Sequence, residues 1–272
     1  MAAPPAGLSP VREGVAQWRP LAGSLALAAM SGVSLPAWAD ASDFPPEKWS
    51  FNISPYVWAA SLKGTVAAVP RLPAIEVDAD FKDILENLDL AAMAFVELRY
   101  GRFGGYADII YSKVTADADT PAQILFDDIK AESASFIGTF GVSYRPLEEE
   151  RGFVDLLAGA RVWSVDTRLE LDGGLLADRV IEDNQNWVDP MIGVKGRFDL
   201  GAGFFLNGVG QVGGFGAASD LTWDVFGGVG YQFNDMISAI AGYRHLEVDY
   251  KHGDFKYDVR MSGPIIGATI HF

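Results

Sequence analysis

Three observations predict an all-β chain closed into a transmembrane antiparallel up-and-down β-barrel of about ten strands, with eight or twelve as alternatives. Apolar and polar residues alternate at period two in segments of about 10 to 16 residues. One side of each segment is apolar, while the other carries Gly, Ser, Asn and isolated charges. Short turns alternate with longer connections, several of them acidic. A sandwich in water would show a polar face dense in Lys, Glu and Thr. A sparse polar face suits an enclosed interior instead, and the apolar face then meets hydrocarbon, where a sheet must close to satisfy its backbone.

The amino end carries Arg12 and Arg19, then the apolar run from Leu21 to Met30, then Ala37-Trp38-Ala39 before Asp40. This order reads as a secretory signal peptide, residues 1–39, cleaved after Ala39. Its apolar run is shorter than the roughly 20 residues of a spanning helix. Residues 40–272 are expected to form a single barrel domain. No later run of 18 apolar residues occurs.

Ten segments then follow in order: 49–62, 90–101, 103–115, 130–145, 152–169, 187–199, 203–213, 220–233, 236–249 and 256–272. Successive side chains on a strand point to opposite faces. In the second segment Ala92, Ala94, Val96, Leu98 and Tyr100 share a face opposite Glu97 and Arg99. In the fifth, Val154, Leu156, Ala158, Ala160 and Val162 oppose Asp155 and Arg161. The sixth sets Val188, Ile192, Val194 and Phe198 against Asp189, Lys195 and Arg197, and the eighth sets Leu221, Trp223, Val225, Val229, Tyr231 and Phe233 against Thr222, Asp224 and Gln232. The charges expected inside nearly balance: Glu97, Asp108, Asp155, Asp189 and Asp224 against Arg99, Arg161, Lys195, Arg197 and Arg244. An enclosed interior demands that balance, because an unpaired buried charge costs several kcal/mol.

Aromatic residues gather at one set of strand ends (Phe51, Tyr100, Phe103, Tyr144, Phe198, Phe204, Tyr231, Phe233 and Phe272) and near the other (Trp163, Trp187, Trp223 and Tyr243), as two interfacial belts would require. Residues 101–104, 145–152, 199–203 and 233–235 are expected to be short turns. Residues 63–89, 115–129 and 170–186 are expected to be long polar loops. In the first of these, Phe81, Ile84, Leu85 and Leu88 follow helical spacing, with Asp80 placed to cap and Asp83 in the first turn, which predicts a short helix.

The 272 residues carry a net charge of -15 and no Cys. That acidity excludes nucleic acid as a partner, and the missing Cys removes disulfides and thiolate chemistry. Loop acids Glu76, Asp78, Asp80, Asp127, Asp128, Glu182 and Asp183 are expected to be solvated, so no metal and no cofactor is expected. Gly208 to Gly213 matches a dinucleotide glycine pattern by letter, but it lies inside an alternating strand with no helix after it. No G-x-S-x-G elbow occurs. His271 is expected to face inward at the rim.

The last twelve residues, MSGPIIGATIHF, place Ile266, Ala268, Ile270 and Phe272 on one face. They resemble the carboxyl-terminal signature of Gram-negative outer-membrane β-barrel proteins. Residues 49–272, with WVDPMIG (187–193), GGFG (213–216) and GYRHLEVDY (242–250), look like the small porin-like barrels of proteobacteria. The resemblance implies the outer membrane, with both termini periplasmic. It implies contact with outer-membrane lipid and lipopolysaccharide, and recognition by periplasmic chaperones and the barrel-assembly machinery. The function expected is a structural or interaction role, or a narrow small-solute pore, without intrinsic catalysis. The alternative is an outer-membrane hydrolase. Resemblance to the omptin proteases would associate such activity with rim carboxylates, Asp78 and Asp80, and with His252 near Asp254.

Overall fold

Period-two alternation does become strand. The structure, a computed structural model, describes residues 48–67, 74–119, 126–173 and 179–272, and the expected signal peptide lies outside them. The elements are β1 (Trp49–Trp58), β2 (Ser61–Ala67), β3 (Ile75–Ala79), α1 (Phe81–Glu86), β4 (Leu88–Tyr100), β5 (Phe103–Asp119), β6 (Phe126–Glu149), β7 (Gly152–Gly173), β8 (Arg179–Gly201), β9 (Phe204–Gly213), β10 (Leu221–Gln232), β11 (Ile237–His252) and β12 (Phe255–His271). Each strand from β4 to β12 pairs antiparallel with the next, β1 pairs with β4, and β12 returns to β1, so the sheet closes as a ten-strand barrel.

β2 and β3 are additions to that wall. β2 prolongs β1 along the same partner, since Trp58 faces Ile265 and Ser61 faces Ser262 in one unbroken register. The interruption at Ala59 and Ala60 has a chemical cause: opposite them stands Pro264, which has no N–H to give, and the ladder survives there as Ala59 N–H donating to the Pro264 carbonyl at 2.9 Å. Next to it, a Cβ on Gly263 would come within 1.9 Å of the Ala59 carbonyl oxygen. Gly263→Ala is therefore expected to break the closing seam, and the purified variant should run only at its unfolded position on an unboiled gel where the wild type migrates as a compact barrel.

The outward face is apolar over the height of a bilayer. Val188, Ile192, Val194 and Phe198 on β8, Leu98 and Tyr100 on β4, and Ile266, Ile270 and Phe272 at the end of the chain are all exposed. An apolar surface this continuous has no counterpart on a water-soluble monomer. β12 and the residue after it carry it from Pro264 to Phe272, about 26 Å along the strand at ~3.3 Å per residue. The protein is thus a transmembrane β-barrel of the outer-membrane type, bathed in lipid. No described helix is long and apolar enough to cross a membrane. Phe51, Tyr100, Phe103, Tyr144, Phe198, Phe204, Tyr231, Phe233 and Phe272 face outward at the rim of short turns, which is the periplasmic rim.

Two expectations need correction here. Most of 115–129 and 170–186 is strand, not loop: β5 runs to Asp119, β6 starts at Phe126, β7 reaches Gly173 and β8 starts at Arg179. These extensions stand beyond the apolar band, where both faces meet water, so no clean apolar face marks them in the sequence. Glu182 accordingly sits on a strand and pairs with Arg168 at 2.7 Å. Secondly, Trp163 and Trp187 do not join the outer belt; both point into the barrel. Parity required it, because Trp163 shares a face with Arg161, and Trp187 with Asp189. Trp223 and Tyr243 remain on the outer face. The helix forms as expected, though shorter, with Asp80 N–H donating to Asp83 Oδ2 at 3.1 Å.

Candidate functional site

The interior is divided into two storeys. Toward the periplasm it is charged and hollow; toward the outside it is apolar and filled. The hollow storey is a cavity of about 1030 Å³ that opens at the periplasmic rim among Glu148, Asp199, Asp235 and Phe272.

Every charge expected inside faces inward, but the ten do not form one network. In the lower cluster Arg99 reaches Glu97 at 2.9 Å and Asp155 at 2.7 Å, while Lys195 reaches Glu97 at 2.7 Å and Asp155 at 3.5 Å. A further cation completes it: Arg145 Nε donates to Asp155 Oδ1 at 2.7 Å, and its guanidinium lies 3.6 Å over the Phe153 ring. In the sequence Arg145 both ends the fourth expected strand, 130–145, and begins the expected turn, 145–152. A bulge between Tyr144 and Leu147, around Pro146, carries β6 on to Glu149 and keeps Arg145 within the wall.

The upper cluster is tighter. Arg244 donates to Asp224 Oδ1 at 3.0 Å and Oδ2 at 2.7 Å, to Asp108 Oδ2 at 2.6 Å, and to the Tyr56 hydroxyl at 3.0 Å, which itself donates to Asp108 Oδ1 at 2.7 Å. Arg161, with no exposed surface, donates to Asp224 at 2.8 Å, Thr139 at 2.8 Å and Gln211 at 3.2 Å. Two guanidiniums and two carboxylates are neutral as a set, and hydroxyl and amide groups meet most of their remaining hydrogen-bonding capacity, with Arg161 Nη1 left without a partner among the described residues. Burial of ions is tolerable on those terms.

Asp189 and Arg197 stand apart from both clusters. Asp189 accepts hydrogen bonds from the Ser219 N–H at 2.8 Å and hydroxyl at 2.7 Å, so it ties the β9–β10 loop down into the barrel mouth. Arg197 lies near the periplasmic rim, 2.9 Å from Asp199. Ser219, Thr139, Gln211 and Tyr56 escape sequence reasoning, because nothing local distinguishes them from other polar residues on an inward face.

Above the ions the lumen is packed. Trp187 lies parallel between Trp163 (ring centroids 5.4 Å, 7°) and Tyr250 (4.1 Å, 2°), with Tyr257 edge-on at 5.8 Å. Trp58, Ile110, Ile137, Leu246, Val248, Phe255 and Val259 complete this layer. Its position explains where the large apolar side chains that parity sends inward are accommodated.

The rim histidines divide similarly. His271 bonds to Asn52 Oδ1 at 2.8 Å and to Ser238 Oγ at 3.1 Å, across the closing seam. His252 is exposed at the β11–β12 tip, and among the described residues no hydrogen bond joins it to a carboxylate. Asp78 pairs instead with Lys63 at 2.8 Å, which raises the lysine's pKa through that hydrogen bond. No group of three or more acids and histidines among the described residues is placed to hold a metal.

No protein-family model matches the sequence, and no curated protein matches it. Among solved structures the chain is similar to the outer-membrane protease OmpT from Escherichia coli, with 12% identity over 84% of this chain and 98% of that one, at a TM-score of 0.49. It is also similar to the transport unit of the autotransporter AIDA-I from Escherichia coli (8% identity, 86% and 93% covered, TM-score 0.40) and to Ail, the attachment invasion locus protein of Yersinia pestis (12% identity, 83% and 99% covered, TM-score 0.32).

Proposed function

We propose that this protein is a closed, non-conducting outer-membrane barrel with a structural or interaction role, whose chamber communicates with the periplasm alone. One observation carries this reading. The stack of Trp163, Trp187 and Tyr250 packs the extracellular storey and none of the three lines the cavity, which supports a chamber closed above Asp224 and Arg244. A barrel of about ten strands has a narrow interior to begin with, and two ionic clusters occupy much of what remains. The lipid-facing surface then becomes the part that meets partners, and the outward row of Ile266, Ala268 and Ile270 on β12 supports recognition by the barrel-assembly machinery. Among the described residues the His252 imidazole has no hydrogen-bonded acid partner, so the hydrolase reading through it gains no support from geometry.

Reconstitution in a planar bilayer tests the proposal. The wild-type barrel should insert without producing current steps. Steady steps that change when Arg99, Arg161 or Asp224 is neutralised would overturn it and indicate a pore through the ionic clusters.

A further inference from the structure

Going beyond the lumen, the outer wall holds a constellation with a separate meaning. Along β12 the outward residues Phe272, Ile270, Ala268, Ile266 and Pro264 are apolar, and the next ones are Ser262, Arg260 and Asp258. Along β11 the outward Ile237, Ala239, Ala241 and Tyr243 give way to His245, Glu247 and Asp249. His245 and Ser262 face each other across the two strands, so they form the first polar pair above the apolar band. That level is the lipid–water boundary, where the acyl esters of membrane lipids lie.

The three polar groups are connected. Ser262 Oγ is 2.6 Å from His245 Nδ1, and His245 Nε2 is 3.5 Å from Glu247 Oε2. With Nε2–H directed toward the carboxylate, Nδ1 is the free acceptor for the serine proton. This is the division of roles that a hydroxyl nucleophile, a base and an orienting acid require, whichever ring nitrogen serves each. Trp223 packs on the imidazole at 4.5 Å between ring centroids, and the Ser61 hydroxyl holds the Ser262 carbonyl at 3.1 Å. One step further from the membrane, Arg260 stands opposite both Glu247 and Lys63. Arg260, and Lys63 in its ion pair with Asp78, are thus placed where lipid phosphates lie when the ester carbonyl is level with Ser262.

We propose that Ser262, His245 and Glu247 form an acyl-ester hydrolase site on the outer wall, acting on membrane lipid in the outer leaflet. Ser262 Oγ bonds to the ester carbonyl carbon as its proton passes to His245 Nδ1. The carbon–oxygen bond to the lipid alcohol breaks, and the departing oxygen takes that proton. Water then attacks the acyl-serine, gives a proton to His245, and releases the fatty acid as Ser262 recovers its hydrogen. Glu247 is a positioning residue that fixes the tautomer and stabilises the transient imidazolium. The other hydroxyl–imidazole pair, Ser238 with His271, is a stitch rather than a second site, since Ser238 is 2% exposed and its third partner is the neutral Asn52.

The test uses the full barrel in vesicles of phosphatidylethanolamine, with and without lipid A, and measures fatty-acid release together with labelling of Ser262 by a fluorophosphonate. Release from phospholipid alone, from lipid A alone or from both is the expected result and identifies the source of the ester. Ser262→Ala and His245→Ala should each lower release by about 10³-fold or more. Glu247→Gln should lower it by at least about 10-fold, with partial rescue in Glu247→Asp, which a purely structural role would not give. No release from either lipid and no adduct on Ser262 in wild-type barrels that run as folded would overturn the proposal, as would release that survives Ser262→Ala. A conducting wild-type barrel, by contrast, bears only on the lumen.

Discussion

Replacing Trp187 with alanine is expected to turn a silent barrel into a conducting one. The indole lies between Trp163 and Tyr250 and donates from Nε1 to Ser219 Oγ at 3.0 Å, and that serine in turn donates to Asp189. One substitution therefore removes the middle of the stack and loosens the loop bound over it. Truncating a buried Trp costs about 3–5 kcal/mol where the surroundings cannot collapse, and a β-wall held by its own ladder collapses poorly. The vacated volume borders Ser219 and, through it, Asp189, polar enough to hold water, and a path from the periplasmic cavity toward the outside is expected to open through it. Current steps in planar bilayers should appear in Trp187→Ala and grow in the double variant with Trp163→Ala, whereas Trp187→Phe should stay silent. If the double variant remained silent as well, the seal would have to lie elsewhere.

The second large effect belongs to Asp224. Arg161 and Arg244 converge on its carboxylate at 2.8 Å and 2.7 Å. Asp224→Ala leaves Arg244 with Asp108 at 2.6 Å but strips Arg161 of its ionic partner inside the wall. Breaking a buried pair from one side costs about 3–5 kcal/mol, far more than the pair contributes against an apolar substitute. The urea midpoint of the barrel in vesicles should fall accordingly, and a second change, Arg161→Met, should recover much of the loss. Arg197→Ala, at the wetter rim, should shift stability by less than about 1 kcal/mol.

Much of this architecture was legible because period two is hard to disguise. The parity that placed Glu97 inside placed Leu98 outside, and the same rule held from β4 to β12. Residue type competes with parity at Trp163 and Trp187: tryptophan is common in interfacial belts, but Arg161 and Asp189, on the same faces, fix both indoles inward. The extended tips of β5 to β8 were hidden for another reason. A strand with water on both sides needs no apolar face, so Asp117, Lys130, Glu132 and Glu170 look like loop. Contacts made by folding back, such as Ser219 on Asp189, have no local signature at all. Arg145 shares a face with Ser143 at the end of the segment 130–145, but the bulge around Pro146 that carries β6 past it leaves no mark in sequence spacing. The Ser262–His245 pair lay within two recognised strands, but only the register of β11 against β12 brings the two side chains together.

The long strands have a consequence for how the cell surface is presented. β6 spans 24 residues, while about 10 suffice to cross the hydrocarbon. A rampart of paired backbone therefore rises above the lipid on the side of the long connections. Its cohesion comes from main-chain hydrogen bonds, while the ion pairs decorating it, such as Arg168 with Glu182, are exposed and contribute little. Substitution of an exposed pair on that parapet, such as Arg168 with Glu182, is consequently expected to leave folding nearly unchanged.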